Sequence, residues 1–311
     1  SYDPAYDTND TYIVYVHGWN TPSWQKDRQA ETMYKRLYWQ GYQGRFGSFR
    51  WPCNRLSLYP PYLGNFDLGE WTAWQSGQPF ESFLAGLNSQ YPGKVYVLAH
   101  SMGNVVTGEA LRLATAEGAS LIVNTYVASQ AALSARAYDN TVPADLTNTY
   151  GINGSGLITP DSEGHYYTNG APPYLNGIAG AAHFVDFYDN ADQILGWWVA
   201  NQHMKPDNSY YYSTSFSQHP SGYYQQFGIR PYRNLFFPTN TYEIFARADE
   251  SYSLALGAET NVAAPFSKTA PINLFLSPYN FQNQHGFQFR SDNMTTAAYW
   301  RQLLVSFNLE Q

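Results

Sequence analysis

The stretch KVYVLAHSMGNVVTGEALRLA, Lys94 to Ala114, constrains the fold of this chain more than any other. A valine-rich apolar run reads as a buried strand, and a run with apolar residues at helical spacing follows it across a very short turn. Such a turn brings the strand and helix backbones together, so small residues must flank its tip; Ala99 and Gly103 stand on either side of Ser101. Strand, turn and helix in this order place the turn above the C-terminal edge of a sheet, where the helix directs its free NH groups and positive end. Ser101 is therefore expected to be exposed there and electrostatically favoured for chemistry that builds an oxyanion.

The rest of the chain repeats the alternation. TYIVYVHGWN reads as a buried strand, Tyr12 to Val16, ending in a His-Gly turn. PSWQKDRQAETMYKRLYWQGYQG follows as a helix with Ala30, Met33, Tyr34 and Leu37 at helical spacing. GRFGSFRWPCN gives a second strand, and QPFESFLAGLNSQYPG a second helix with Phe80, Phe83, Leu84 and Leu87 on one face. Beyond the opening stretch, ASLIVNTYVASQAAL and HFVDFYDN read as two more strands without clean alternation, as parallel strands covered on both faces do. MTTAAYWRQLLVSF closes the chain as a helix with Ala297, Trp300, Leu304 and Phe307 facing inward. This alternation predicts an α/β fold: a doubly wound, mostly parallel sheet flanked by helices.

Two irregular tracts rich in Gly, Pro, Asn and Tyr interrupt the pattern, Arg136 to Gly180 and Asn201 to Asn240. Structureless loops of that length serve as lids, binding loops or small caps. Residues 1–311 are thus expected to form a single domain with lid or cap insertions at about 136–180 and 201–240. GINGSG lies in the first tract rather than between a strand and a helix, so it implies no dinucleotide loop.

The segment AHSMG follows the nucleophile-elbow pattern G-x-S-x-G with alanine at the first glycine position. With VHGWN before it at a strand end, the chain resembles the α/β-hydrolase superfamily, in the variant elbow form of some small bacterial lipases. HGxN near the start, a strand ending in Trp-Pro as in FRWP, and AHSMGN are similar to a bacterial branch of that fold. The likeness covers most of the core and leaves the two insertions out. It implies an esterase- or lipase-like serine hydrolase with Ser101 as nucleophile and the backbone NH groups of Trp19 and Met102 as the oxyanion hole.

A serine hydroxyl is weakly nucleophilic at neutral pH, so a base must take its proton and a third group must orient that base. The superfamily order along the chain is serine, acid, histidine. Of the histidines after Ser101, His165, His203 and His219 lie in the insertions, and His183 opens an apolar strand as a packed or edge residue. His285, in NQHGFQF before the terminal helix, occupies the place of the superfamily's catalytic histidine. The acid should follow the strand before the last, and YDNAD resembles the Y-x-x-A-D turn of small bacterial lipases, which points to Asp192. Asp189 is its nearest rival, Asp186 lies within the strand, and Asp249 with Glu250 after YEIFARA is a second rival. Trp19 and His100, flanking these groups, are assigned to substrate binding.

The net charge of -7 and the scattered Lys and Arg leave no basic stripe, which argues against nucleic acid as a partner. The single cysteine, Cys53, excludes an internal disulfide framework and reads as a small packed residue at a strand end. Without HExxH, a Cys pair or a close His pair, neither a metal nor a cofactor is expected. No apolar run approaches the roughly 18 residues of a transmembrane helix. The start at SYDPAYDTND without Met, and the Tyr-, Asn-, Ser- and Gly-rich composition, lean toward a processed, exported chain. The expected substrate is a small-molecule or lipid-like carboxylic ester, with GHYYTNGAPPYLNGI and SYYYSTSF walling an apolar cleft. An amidase, peptidase or thioesterase would use the same constellation, and a catalytically silent binding protein would keep the same cleft.

Overall fold

A computed structural model of the chain describes residues 10–53, 69, 72–73, 75–118, 121–132, 181–189, 192, 194–195, 256–258, 267–269, 285–289 and 293–309. The two Tyr-rich insertions and the YEIFARA run lie outside the described residues. The described strands, β1 (Tyr12–Val16), β2 (Arg45–Phe49), β3 (Val95–His100), β4 (Val123–Ser129), β5 (Ala181–Phe187) and β6 (Ser267–Thr269), form one sheet in the order β2-β1-β3-β4-β5-β6. Every pairing in it is parallel. Helices α1 (Ser23–Trp39), α2 (Gly77–Gln90), α3 (Gly103–Ala116) and α4 (Asn293–Ser306) flank it.

Parallel strands covered on both faces alternate their side chains between two cores. In β1, Val14 and Val16 join Phe80, Leu84, Val105 and Leu111 of α2 and α3. Ile13 and Tyr15 face the other way and join Met33, Leu37, Trp300 and Leu304 of α1 and α4. The sequence is apolar on both sides of these strands because both sides are buried. The chain steps outward from β1 to β2, then returns past β1 to β3. Open α/β sheets bind ligands at such a reversal, beyond the C-terminal ends of the strands, here β1 and β3.

The helix faces differ in detail from the sequence reading. On α1, Tyr34 is exposed and Ala30 half-buried, because the covered stripe is Lys26, Met33, Arg36 and Leu37. On α2, Phe80, Leu84 and Leu87 are buried, whereas Phe83 sits at the margin, 6.0 Å from Phe49. Ala297 of α4 is only half-buried beside buried Trp300, Leu304 and Phe307. His183 is exposed rather than packed, near the start of β5 and at the opposite end of the sheet from Ser101. Among the described residues no helix is long and apolar enough to cross a membrane.

Candidate active site

Ser101 follows directly on β3 and adopts φ 55°, the left-handed region that L-residues avoid at a cost of about 1–2 kcal/mol. Hydrogen bonds hold that turn in place. Its NH continues the sheet by donating to Ser129 O (3.1 Å). Its carbonyl accepts from the NH groups of Asn104 (3.1 Å) and Ala132 (3.2 Å) and from Asn104 Nδ2 (2.8 Å). Asn104 is fully buried, and its Oδ1 accepts from Tyr126 OH at 2.6 Å. Ser101 is only 7% exposed, less open than the sequence suggested, because the loop after β1 lies against it.

That loop carries His17, Gly18, Trp19 and Asn20. A Cβ at Gly18 would come 2.8 Å from Ser101 Cβ, and one at Gly103 would come 2.6 Å from His17 O. The two glycines thus let the end of β1 pass against the turn and the start of α3. Gly18 O accepts from His17 Nδ1 (2.8 Å) and from Thr21 Oγ1 (3.0 Å). A trans peptide sets NH and C=O on opposite sides, so tying the Gly18 carbonyl fixes the direction of the Trp19 NH. The Trp51 ring stacks on His17 at 5.3 Å, and Trp51 Nε1 donates to His17 O at 2.6 Å. Lys26 Nζ in turn donates to Trp51 O (2.8 Å), and half-buried Cys53 donates its Sγ hydrogen to Thr21 O (3.3 Å). Trp51 and Cys53 of FRWPC therefore clasp the loop after β1. Burial, more than any neighbour, pushes the His17 imidazole down to about 3, so it is neutral.

Asp192 lies beyond β5 and is buried. Its Oδ1 accepts from the NH groups of Ile194 (2.9 Å) and Leu195 (3.2 Å). Its Oδ2 accepts from His285 Nδ1 (2.6 Å) and from Gln130 Nε2 (2.8 Å). With Nδ1–H given to the carboxylate, His285 presents the basic lone pair at Nε2. That atom is buried and has no hydrogen-bond partner among the described residues. The His285 ring lies 4.8 Å from the ring of His100, the residue just before Ser101. Phe289 meets His100 edge-on at 5.5 Å. Burial first, and the neighbouring His285 and His17 second, hold His100 well below its ordinary value, so it too is neutral.

Of the rival carboxylates, Asp186 and Asp189 are among the described residues. Asp186 is buried within β5, and Asp189 meets the 256–258 segment through its backbone NH, which donates to Gly257 O at 2.7 Å. Asp249, Glu250, His165, His203 and His219 lie outside the described residues. Met102 is buried at the start of α3, where NH groups have no partner within the helix. Trp19 is partly buried, and a Cβ at Gly69 would meet its indole ring. No three His, Cys, Asp or Glu side chains gather as a metal-ligand set among the described residues. Sequence reasoning missed Gln130, Thr21 and Tyr126. Only Gln130 carried a signal, as a long polar residue within the otherwise small or apolar VASQAAL.

Residues 5–140 match the model of a family described as alpha/beta hydrolase of unknown function (DUF900). No curated protein matches the chain. Solved structures similar to it include a hyperthermophilic esterase from the archaeon Pyrobaculum calidifontis, at 14% identity over 96% of this chain and 76% of that one, with TM-score 0.36. RedJ, a thioesterase of the prodiginine biosynthetic pathway in Streptomyces coelicolor, is 14% identical over 62% of this chain and 74% of its own, with TM-score 0.31. A hormone-sensitive lipase from a metagenome library is 13% identical over 58% of each chain, with TM-score 0.29.

Proposed function

We propose that this chain, which has an α/β-hydrolase fold, is a serine hydrolase that cleaves carboxylic esters through an acyl-enzyme on Ser101. His285 is the general base, Asp192 orients it, and the NH groups of Trp19 and Met102 receive the oxyanion. Trp19 and His100 border the bound ester. The observation that carries this reading is a strained serine at a helix start together with a half-buried histidine whose Nδ1 is held by a carboxylate at 2.6 Å.

In the first step His285 Nε2 takes the Ser101 hydroxyl proton as Oγ attacks the ester carbonyl. The negative Asp192 stabilises the imidazolium that forms. The carbonyl oxygen becomes an oxyanion, which two backbone NH donors and the positive end of α3 stabilise. The imidazolium then gives its proton to the departing alkoxide, and the acyl group stays on Oγ. Water, deprotonated by the same Nε2, repeats the sequence and releases the acid. Neutral His100 beside His285 adds no positive charge to oppose the imidazolium.

Ser101→Ala against wild type, with a fluorophosphonate probe and short-chain p-nitrophenyl esters, tests the proposal. Wild type should label once and turn over; the variant should do neither. Amides and thioesters in the same assay rank the reactions that this constellation allows. A catalytically silent binding role has one observation in its favour: no hydrogen bond joins Ser101 Oγ to His285 Nε2. In unliganded sites such bonds are commonly long and tighten on binding. Absence of labelling in wild type would decide for the silent role.

A further inference from the structure

We infer that Gln130 is a positioning residue of this site: its side-chain amide holds the Asp192 carboxylate so that Oδ2 stays aimed at His285 Nδ1. The inference rests on the hydrolase reading above.

Gln130 is wholly buried and follows directly on β4 with φ 45°, an uncommon conformation for a residue with a side chain. Its backbone is anchored independently of Asp192, since its NH donates to Phe187 O at 2.8 Å. The next residue is anchored as well. Ala131 O accepts from the Gly257 NH (3.1 Å), and Gly257 O accepts from the Asp189 NH (2.7 Å) at the base of the turn that carries Asp192. The end of β4, the 256–258 segment and that turn therefore form one hydrogen-bonded frame, and the Gln130 side chain spans it. An ionised carboxylate only accepts, so the nitrogen end of the amide faces Oδ2, at 2.8 Å.

The two oxygens of Asp192 are supported differently. Oδ1 is held by two backbone NH groups, which would survive almost any side-chain change. Oδ2, the oxygen that meets His285, has Gln130 as its other donor. Without the amide, the carboxylate is free to turn about its Oδ1 bonds and carry Oδ2 out of line with Nδ1. A glutamine suits the position because it supplies a donor without a formal charge. A cation there would draw charge from the carboxylate and oppose the imidazolium that catalysis must form.

Gln130→Met keeps the length and removes the donor. We expect kcat on a p-nitrophenyl ester to fall about 10- to 100-fold, the worth of one hydrogen bond to a charged group, with KM changed less than about threefold. Gln130→Glu places a carboxyl beside a carboxylate, where the two must share a proton. Its protonated form still donates to Oδ2, so activity should persist at lower pH and decline in the alkaline range where wild type stays flat. A merely structural role would not produce that limb. Fluorophosphonate labelling of wild type separates the failures. If wild type does not label, the hydrolase reading and this inference fall together. If wild type labels and both variants keep wild-type kcat and pH profile, Gln130 has no positioning role and the hydrolase reading stands. If Gln130→Met does not fold, the alkaline limb of Gln130→Glu decides alone, its presence supporting the inference and its absence overturning it.

Discussion

Gly18 approaches Ser101 so closely that a Cβ on the glycine would stand 2.8 Å from Ser101 Cβ, with His100 Nδ1 and O both at 3.3 Å. This contact joins the loop after β1 to the turn after β3 across the reversal in strand order. Neither side yields easily, since Gly18 O is held by His17 and Thr21 and the Ser101 backbone by the sheet. Gly18→Ala should therefore displace the loop and the Trp19 NH. A misplacement near 1 Å costs about a hundredfold in rate, so kcat/KM on short esters should drop by at least that factor. Circular dichroism should show a folded protein, and near-normal turnover in a folded Gly18→Ala would count against Trp19 as an oxyanion donor.

Much of this geometry was legible in the sequence, and the limits have physical causes. Tyr12–Val16 matches the strand that the sequence predicts, because a run buried on both faces has no competing pattern. The turn at Ser101 was readable because Ala99 and Gly103 report a steric demand of the backbone itself. Gln130 was not, since its role depends on a partner 62 residues further along the chain. The three-residue β6 carries too little periodicity to be recognised, and Phe83 and Tyr34 are apolar-looking positions at helix margins that only the packing can assign. Ser101 was expected to be open because the local turn exposes it. The loop that covers it comes from another strand.

Asn104 should matter to the fold and to the turn together. Its amide nitrogen supports the Ser101 carbonyl at 2.8 Å, and its oxygen accepts from the buried Tyr126 hydroxyl at 2.6 Å. Asn104→Ala removes the acceptor of that hydroxyl bond and a bond that holds the strained φ. We expect a loss of about 2–3 kcal/mol in urea unfolding, with a fall in kcat of about tenfold or more. Tyr126→Phe leaves the Ser101 contact in place and should cost about 1–2 kcal/mol with little change in kcat. Equal kinetic effects from the two variants would show that the Ser101 contact is not what matters.

Acid should destabilise the protein through His17 and His100. Both are buried neutral in the folded state, His17 down at about 3 and His100 well below 6.5, whereas both titrate near 6.5 once unfolded. Below pH 6.5 the unfolded chain binds protons that the folded chain refuses, so stability is complete above that pH and declines as it falls. Each histidine contributes a slope of up to about 1.4 kcal/mol per pH unit, which for His17 persists down to about 3. Urea midpoints at pH 7.5, 6.5 and 5.5 measure the slope, and His100→Gln should flatten it. An unchanged slope in that variant would mean that other groups govern the acid limb.

Asp192→Asn should separate activity from stability. The asparagine oxygen can still accept from Ile194 and Leu195, but its NH2 then faces two donors, Gln130 Nε2 and His285 Nδ1. The amide of Gln130 can turn over and offer its oxygen. His285 can relieve the clash only by moving its proton to Nε2, which presents an N–H instead of a lone pair to Ser101. A histidine in the wrong tautomer costs about ten-thousandfold in kcat in the serine triad. Stability should hold within about 1 kcal/mol or rise, since a buried charge disappears while its hydrogen bonds are largely replaced. Asp189→Asn is the control: its backbone NH makes the contact with Gly257, and that contact is independent of the side chain. Turnover that collapses in Asp189→Asn and survives in Asp192→Asn would transfer the orienting role to Asp189.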